Sequence, residues 1–261
     1  MNWIDIGVNL TNKRFDNDRE DLIKNALNAG VKQQIVTGTN LTESENAIQL
    51  CEQFPNVLFS TAGCHPHDAE RFTEAHYSKL AELVKLSTVV AIGECGLDFN
   101  RNFSPANIQL DVFEQQLRLA TKVSKPLFLH ERDAFDQQLE LLSIYRNKII
   151  GGVVHCFTGS KEQLLAYLDL DLYIGITGWI CDERRGQRLR DIIHLIPGNR
   201  LMIETDAPYL LPRDLWPKPK SNRNIPEYLP HIGRVIAHLR NVPVEQLSEQ
   251  SYLNSTHFFG L

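Results

Sequence analysis

Four polar residues follow apolar runs in this chain. Glu94 follows VVAIG, His130 follows PLFL, His155 follows GGVV, and Asp206 lies two residues beyond Glu204 after LMI. Runs without alternation read as strands buried on both faces, the habit of parallel sheets covered by helices. A polar group at the end of such a strand is costly to bury without a partner. The recurrence of the pattern therefore points to one shared site. Imidazole and carboxylate donors suit a divalent cation that keeps a position open to water. The pattern predicts Glu94, His130 and His155 as ligands. It predicts Asp206 as the base that takes a proton from water, with occasional ligation. Each residue alone has a plainer explanation, because a strand-end histidine more often bonds its own loop; the metal reading rests on the four together.

Other polar residues surround this set. GCHPHD places His65, His67 and Asp68 in one loop, with Pro66 fixing the turn. His65 is expected to contact a substrate phosphate or to protonate a leaving oxygen, whereas His67 divides evenly between such a role and loop bonding. Glu204 shares a strand face with Asp206. It is grouped with the catalytic residues, either holding a Lys or Arg of the interior or supporting a ligand. Asp98 and Arg101 fall in the loop after Glu94, within reach of a substrate, with a solvated loop as the default expectation.

The elements that must carry these groups follow from the same runs. Strands are expected at Trp3–Leu10, Gln33–Thr37, Val57–Ala62, Val89–Glu94, Pro126–His130, Ile149–Val154, Leu172–Thr177 and Leu201–Glu204. Helices are expected at Asp18–Asn28, after a Thr42/Glu45 capping box, at Thr73–Leu86, and from a Ser104 cap with Pro105 first in the helix to Val123. Further helices are expected at Ala134–Arg146, from a Ser160/Gln163 cap to Leu168, and at Arg184–Leu195, Tyr228–Arg240 and Pro243–Phe258. Eight strands alternating with helices predict a TIM-type (β/α)8 barrel, one domain over residues 1–261. An open doubly wound sheet needs a Gly-rich phosphate loop after its first strand, and DIGVNLTN supplies none. In a barrel the carboxyl ends of all strands share one rim, which is what the metal reading requires.

The net charge of −5 gives no global attraction for nucleic acid, so any such contact has to be local. Two stretches combine cations with aromatic faces, the pairing that single strands need. WICDERRGQRLR is one; YLLPRDLWPKPKSNRN is the other and contributes Arg213, Trp216, Lys218 and Arg223 as expected substrate contacts. The second lies in a long proline-stiffened loop, a common setting for function. Five scattered cysteines with no CxxC argue against a disulfide framework or a cysteine zinc site and fit the cytoplasm. MNWIDIGVNL carries no basic leader ahead of a long apolar segment, so no signal peptide is expected, and no run is long enough to span a bilayer.

GCHPH, GECGLDF, PLFLHERDAFD, HCFTG and IETDAPYLLPR, in this order along the chain, resemble the TatD family of metal-dependent deoxyribonucleases. The resemblance runs from Asp5 nearly to the C-terminus. It implies a TIM-barrel hydrolase of the amidohydrolase type, with metal ligands at Glu94, His130 and His155, the catalytic aspartate at Asp206 and a phosphate-side histidine at His65. Most of the family opens with Asp-Thr/Ser-His-x-His, whose histidines bind a second metal. Here Gly7 and Asn9 stand at those two positions, so one metal is expected rather than two. The branch without the pair implies a magnesium-dependent 3'-5' exonuclease of single-stranded DNA and of RNA, linked to repair after oxidative damage. Manganese or zinc are the alternative ions, and a monomer is expected. Two rivals are a barrel hydrolase of a small ester or amide, which needs no basic aromatic loop, and a non-catalytic quality-control or binding protein.

Overall fold

The computed structural model describes residues 1–261. Its eight strands form one parallel sheet in sequential order: β1 (Trp3–Val8), β2 (Val31–Val36), β3 (Leu58–Ala62), β4 (Val89–Asp98), β5 (Leu127–Arg132), β6 (Gly152–Val154), β7 (Tyr173–Ile176) and β8 (Leu201–Ile203). The ends of β8 and β1 are joined by Asp206 N–H to Gly7 O at 2.9 Å and Asn9 N–H to Ala207 O at 2.8 Å. This is the topology of a (β/α)8 barrel of the amidohydrolase type, as the sequence predicts. Parallel strands need crossovers, and helices supply them: α1 (Arg19–Asn28), α2 (Leu41–Gln53), α3 (Glu74–Leu83), α4 (Ala106–Val123), α5 (Phe135–Tyr145), α6 (Lys161–Asp169), α7 (Gln187–Ile192), α8 (Leu229–Arg240) and α9 (Val244–Phe259).

The chain forms two compact units. The first comprises Met1–Val36, Cys156–Leu165 and Tyr173–Leu261. It holds β1, β2, β7 and β8, all lined by fully buried apolar residues such as Ile4, Ile6, Ile35, Ile174 and Met202. Its helix α8 approaches β1 closely: a Cβ on Gly233 would lie 2.5 Å from the Trp3 ring, so only glycine admits the indole there. The second unit comprises Thr37–His155 and Ala166–Leu172. It holds β3 to β6 and α2 to α5, with Leu58, Ile92, Phe113, Leu117 and Phe128 in its core.

Several boundaries differ from expectation for local reasons. Glu94 does not end its strand, because β4 runs on to Asp98; β5 likewise passes His130 to Arg132. Helix α2 is capped by Asn40, which accepts from Glu43 N–H at 3.0 Å, and not by a Thr42/Glu45 box. Pro105 takes the cap position of α4, while the Ser104 hydroxyl is buried, donating to His67 O and accepting from Glu70 N–H. The Arg184–Leu195 stretch holds only a short α-helix, α7, followed by a 3-10 turn. The Ser160/Gln163 cap forms as expected, with each residue's side chain accepting from the other's backbone N–H.

Candidate metal centre

The second unit assembles the site around one oxygen. Between Ile92 and Cys95 the pairing of β4 with β5 skips, three steps on β4 matching two from Leu127 to Leu129. The extra residue makes a bulge at Gly93–Glu94, and bulges re-aim side chains. Here the Glu94 amide bonds Gly38 O at 2.8 Å. After the bulge Gly96 lies opposite His130 with φ +141, and a Cβ there would stand 1.9 Å from His130 O. Glycines on both sides of the Glu94–Cys95 pair, Gly93 against Phe128 O and Gly96 against His130 O, thus let β4 hug β5 while Glu94 turns inward.

Three imidazoles meet the Glu94 carboxylate at Oε1: His130 Nδ1 at 2.9 Å, His155 Nε2 at 2.9 Å and His65 Nε2 at 3.4 Å. Burial alone would raise the Glu94 carboxyl, but His155, His65 and His130 together hold it well below the usual carboxylate range. The other nitrogen of His130, Nε2, faces Asp98 Oδ2 at 3.4 Å, and His67 Nε2 reaches the same oxygen at 2.8 Å. Burial works against charge on His130, yet Asp98 and Glu94 on its two sides raise it above the ordinary histidine value. Asp98 is buried, not solvated, and its carboxyl is held low against burial by His130, the Arg101 amide and His67. His67 therefore belongs to this network, through Asp98.

The expected ligands Glu94, His130 and His155 are thus brought together. His65 stands closer than expected: its ligand atom lies within 4.8 Å of those of Glu94 and His130. Its tautomer separates it from them. The His67 amide donates to His65 Nδ1 at 3.1 Å, so the neutral ring carries its proton on Nε2. Burial keeps that ring neutral, pushing its pKa down to about 3. His65 Nε2 is then a donor aimed into the site, while the lone pairs of His130 Nδ1 and His155 Nε2 are available to an ion once their protons leave. One carboxylate and two imidazoles fit a divalent cation with open positions, and the Asp98 contact to His130 Nε2 is the carboxylate–histidine support such ligands usually have.

In the first unit Asp206 follows β8 with φ +53, and its Oδ1 accepts from Asn9 Nδ2 at 2.9 Å. Asn9, which stands at one of the family's two first-strand histidine positions, holds the aspartate. Glu204 is fully buried and accepts the Cys156 amide at 2.5 Å; it fixes the residue that follows His155 in the chain. Asp5 of β1 is buried beneath Thr205, whose amide and hydroxyl both donate to it, at 2.8 and 2.5 Å. Of the loop cations, Arg223 is not free for substrate: it forms a two-point pair with Asp18 at 2.9 and 2.5 Å. Arg213 leans on Asp182 at 3.2 Å. Trp216 is 91% exposed, and Lys218 is exposed beside it.

Residues 4–260 match the family described as TatD related DNase. The chain is 50% identical over 257 residues to the 3'-5' ssDNA/RNA exonuclease TatD of Citrobacter rodentium, covering 98% of this chain and 97% of the relative. It is 49% identical over 257 residues to the protein of the same name from Escherichia coli K12, covering 98% of each. Among solved structures, a TatD homologue from Escherichia coli K12 superposes with a TM-score of 0.90 at 28% identity, covering 99% of this chain and 98% of the other. A TatD family hydrolase from Entamoeba histolytica gives a TM-score of 0.90 at 26% identity, with the same coverage.

Proposed function

The chain belongs to the family of TatD-related DNases, and from that premise we propose that it is a metal-dependent 3'-5' exonuclease of single-stranded DNA and RNA, as its named relatives are. The observation that carries the metal part is the meeting of two imidazoles and a neutral His65 at Glu94 Oε1. Glu94, His130 and His155 would hold a divalent cation, with magnesium first and manganese or zinc as alternatives. When bound, such an ion polarises a phosphoryl oxygen and makes a water more acidic.

The chain's own residues do the rest. His65 donates from Nε2 to a nonbridging phosphate oxygen and steadies the phosphate without carrying charge. Its low pKa argues against service as the acid at neutral pH, so the 3'-oxygen departs with a proton from solvent. Asp206 accepts the proton of the attacking water at its carboxylate, which Asn9 holds through Oδ1. Glu204 supports the turn after His155 and is a positioning residue in this scheme. Trp216 and Lys218 offer a face for a base and a cation for a phosphate. Arg213 joins them when a phosphate competes with Asp182, whereas Arg223 anchors the loop.

We read residues 1–261 as one working domain, supported by a family match spanning 4–260, and the protein as a monomer. No helix is long and apolar enough to cross a membrane, and all five cysteines are free; the latter supports a reducing, cytoplasmic setting. A part in repair after oxidative damage belongs to the same proposal. The test uses end-labelled single strands with magnesium or with chelator. Stepwise loss from the 3' end, abolished by chelator and lowered at least about 100-fold in Glu94→Ala and Asp206→Asn, is expected. Full metal-dependent cleavage by either folded variant overturns the assignment.

A further inference from the structure

A second group of ligand-type side chains lies in the first unit, apart from the residues assigned above. Cys181 ends the 3-10 turn after β7, Asp214 sits in the proline-rich loop, and His231 lies in the first turns of α8. Their ligand atoms all lie within 4.8 Å of one another, and His231 Nε2 meets Asp214 Oδ1 at 2.7 Å. We propose that Cys181, Asp214 and His231 form a site for a thiophilic divalent cation of the zinc type, and that the ion fastens the proline-rich loop to the β7 turn and to α8.

Three donor kinds from three elements make the case. An Asp–His pair by itself is an ordinary partly exposed contact. Here the third member is a buried thiol, and it sits against the Asp214 carboxylate. Sulfur, nitrogen and oxygen donors in one group select zinc-like ions over magnesium. With a thiolate, a carboxylate and a neutral imidazole the ligands carry two negative charges, which balance a divalent ion. Zinc–ligand lengths of about 2.0–2.3 Å put neighbouring donors about 3.5 Å apart in a tetrahedron, so the group closes by small side-chain adjustments. A water completes the fourth position. Partial exposure of Asp214 and His231 gives the ion a way in.

The free thiol stays protonated, since burial and the adjacent Asp214 push it up and Arg190 only partly offsets them. It is therefore no nucleophile at rest. Ion binding expels the thiol proton to solvent, and His231 ligates through Nε2 in the tautomer that carries its proton on Nδ1. Binding accordingly strengthens as pH rises. Two guanidiniums of the same region are engaged elsewhere, Arg213 on Asp182 and Arg190 on Ile180 O.

Cobalt(II) titration of the intact protein tests this without reference to cleavage. None of the donors at the Glu94 centre is sulfur, so a thiolate-to-cobalt charge-transfer band reports the second site alone. The band is expected to saturate at one equivalent, to persist in Glu94→Ala, to vanish in Cys181→Ser and to need at least tenfold more cobalt in His231→Ala. Zinc is expected to slow proteolysis within the proline-rich loop several-fold in Glu94→Ala protein, but not when His231→Ala is added. Absence of the band in folded wild-type protein, or its persistence in Cys181→Ser, overturns the site. A band without loop protection overturns the fastening role. Because His231 is partly exposed, His231→Ala keeps the test decisive should Cys181→Ser fail to fold.

Discussion

At the scale of single residues, two buried carboxyls behave in opposite ways, and each leads to a measurement. Asp98 is kept ionised by the two imidazoles it touches. Asp98→Asn removes the negative partner of His130 Nε2, and the affinity for the catalytic ion is expected to fall about 10- to 100-fold, read by metal titration with the fold checked by circular dichroism. An unchanged affinity would show that His130 needs no such support. Asp5 lies in an apolar strand, and burial raises its pKa from the ordinary 3.8 to about 8 against the pull of its Thr205 bonds. The folded state therefore keeps a proton that the unfolded chain has lost between those two values. The associated stability is complete below about 4 and drains away as pH climbs through about 8. Asp5→Asn, which mimics the protonated form, is expected to flatten this decline, whose slope reaches up to about 1.4 kcal/mol per pH unit. Urea midpoints across the pH range check it, and a variant that keeps the wild-type slope would assign the titration elsewhere. Little of this was legible beforehand. Asp98 read as a loop residue because apolar patterning cannot show that β4 continues through a bulge. The bond from Asn9 to Asp206 was not legible, because the two lie at opposite ends of the chain.

At the scale of elements, the sequence was more informative. Eight apolar runs became eight strands in order, since a strand buried on both faces must be written almost wholly in apolar letters. Ends were less legible. Asn40 and not Thr42 is the cap because the helix already starts at Leu41, which places Thr42 inside the first turn while Asn40 accepts the Glu43 amide. The most demanding junction is β4 against β5. Gly96 combines φ +141 with a backbone oxygen where a Cβ would be. Gly96→Ala is expected to destabilise the protein by more than about 3 kcal/mol and to lower metal affinity as Glu94 is displaced. Chemical denaturation measures the first effect, and a loss below about 1 kcal/mol would mean that β5 yields easily.

At the scale of the whole molecule, a net negative protein must bind a polyanion through a small positive area. The proline-rich loop is the proposed area, but it has fewer uncommitted cations than its sequence suggests, because Arg223 is committed to Asp18 over a separation no local motif reveals. Trp216→Ala is expected to weaken single-strand binding by about 1–3 kcal/mol. Lys218→Ala is expected to reduce the log–log salt slope by about 0.7, while Arg223→Met leaves that slope unchanged. Fluorescence anisotropy at several salt concentrations separates the three, and a slope indifferent to Lys218 would move the binding surface off this loop. The Asn9–Asp206 contact carries one more implication, for biosynthesis. A ribosome finishes every residue of the Glu94 cluster before it reaches β8, whereas the aspartate gains its partner only when the last strand returns to the first. Under the proposed mechanism, a chain that ends before β8 is therefore expected to carry the proposed ligands Glu94, His130 and His155 and to lack the proposed base.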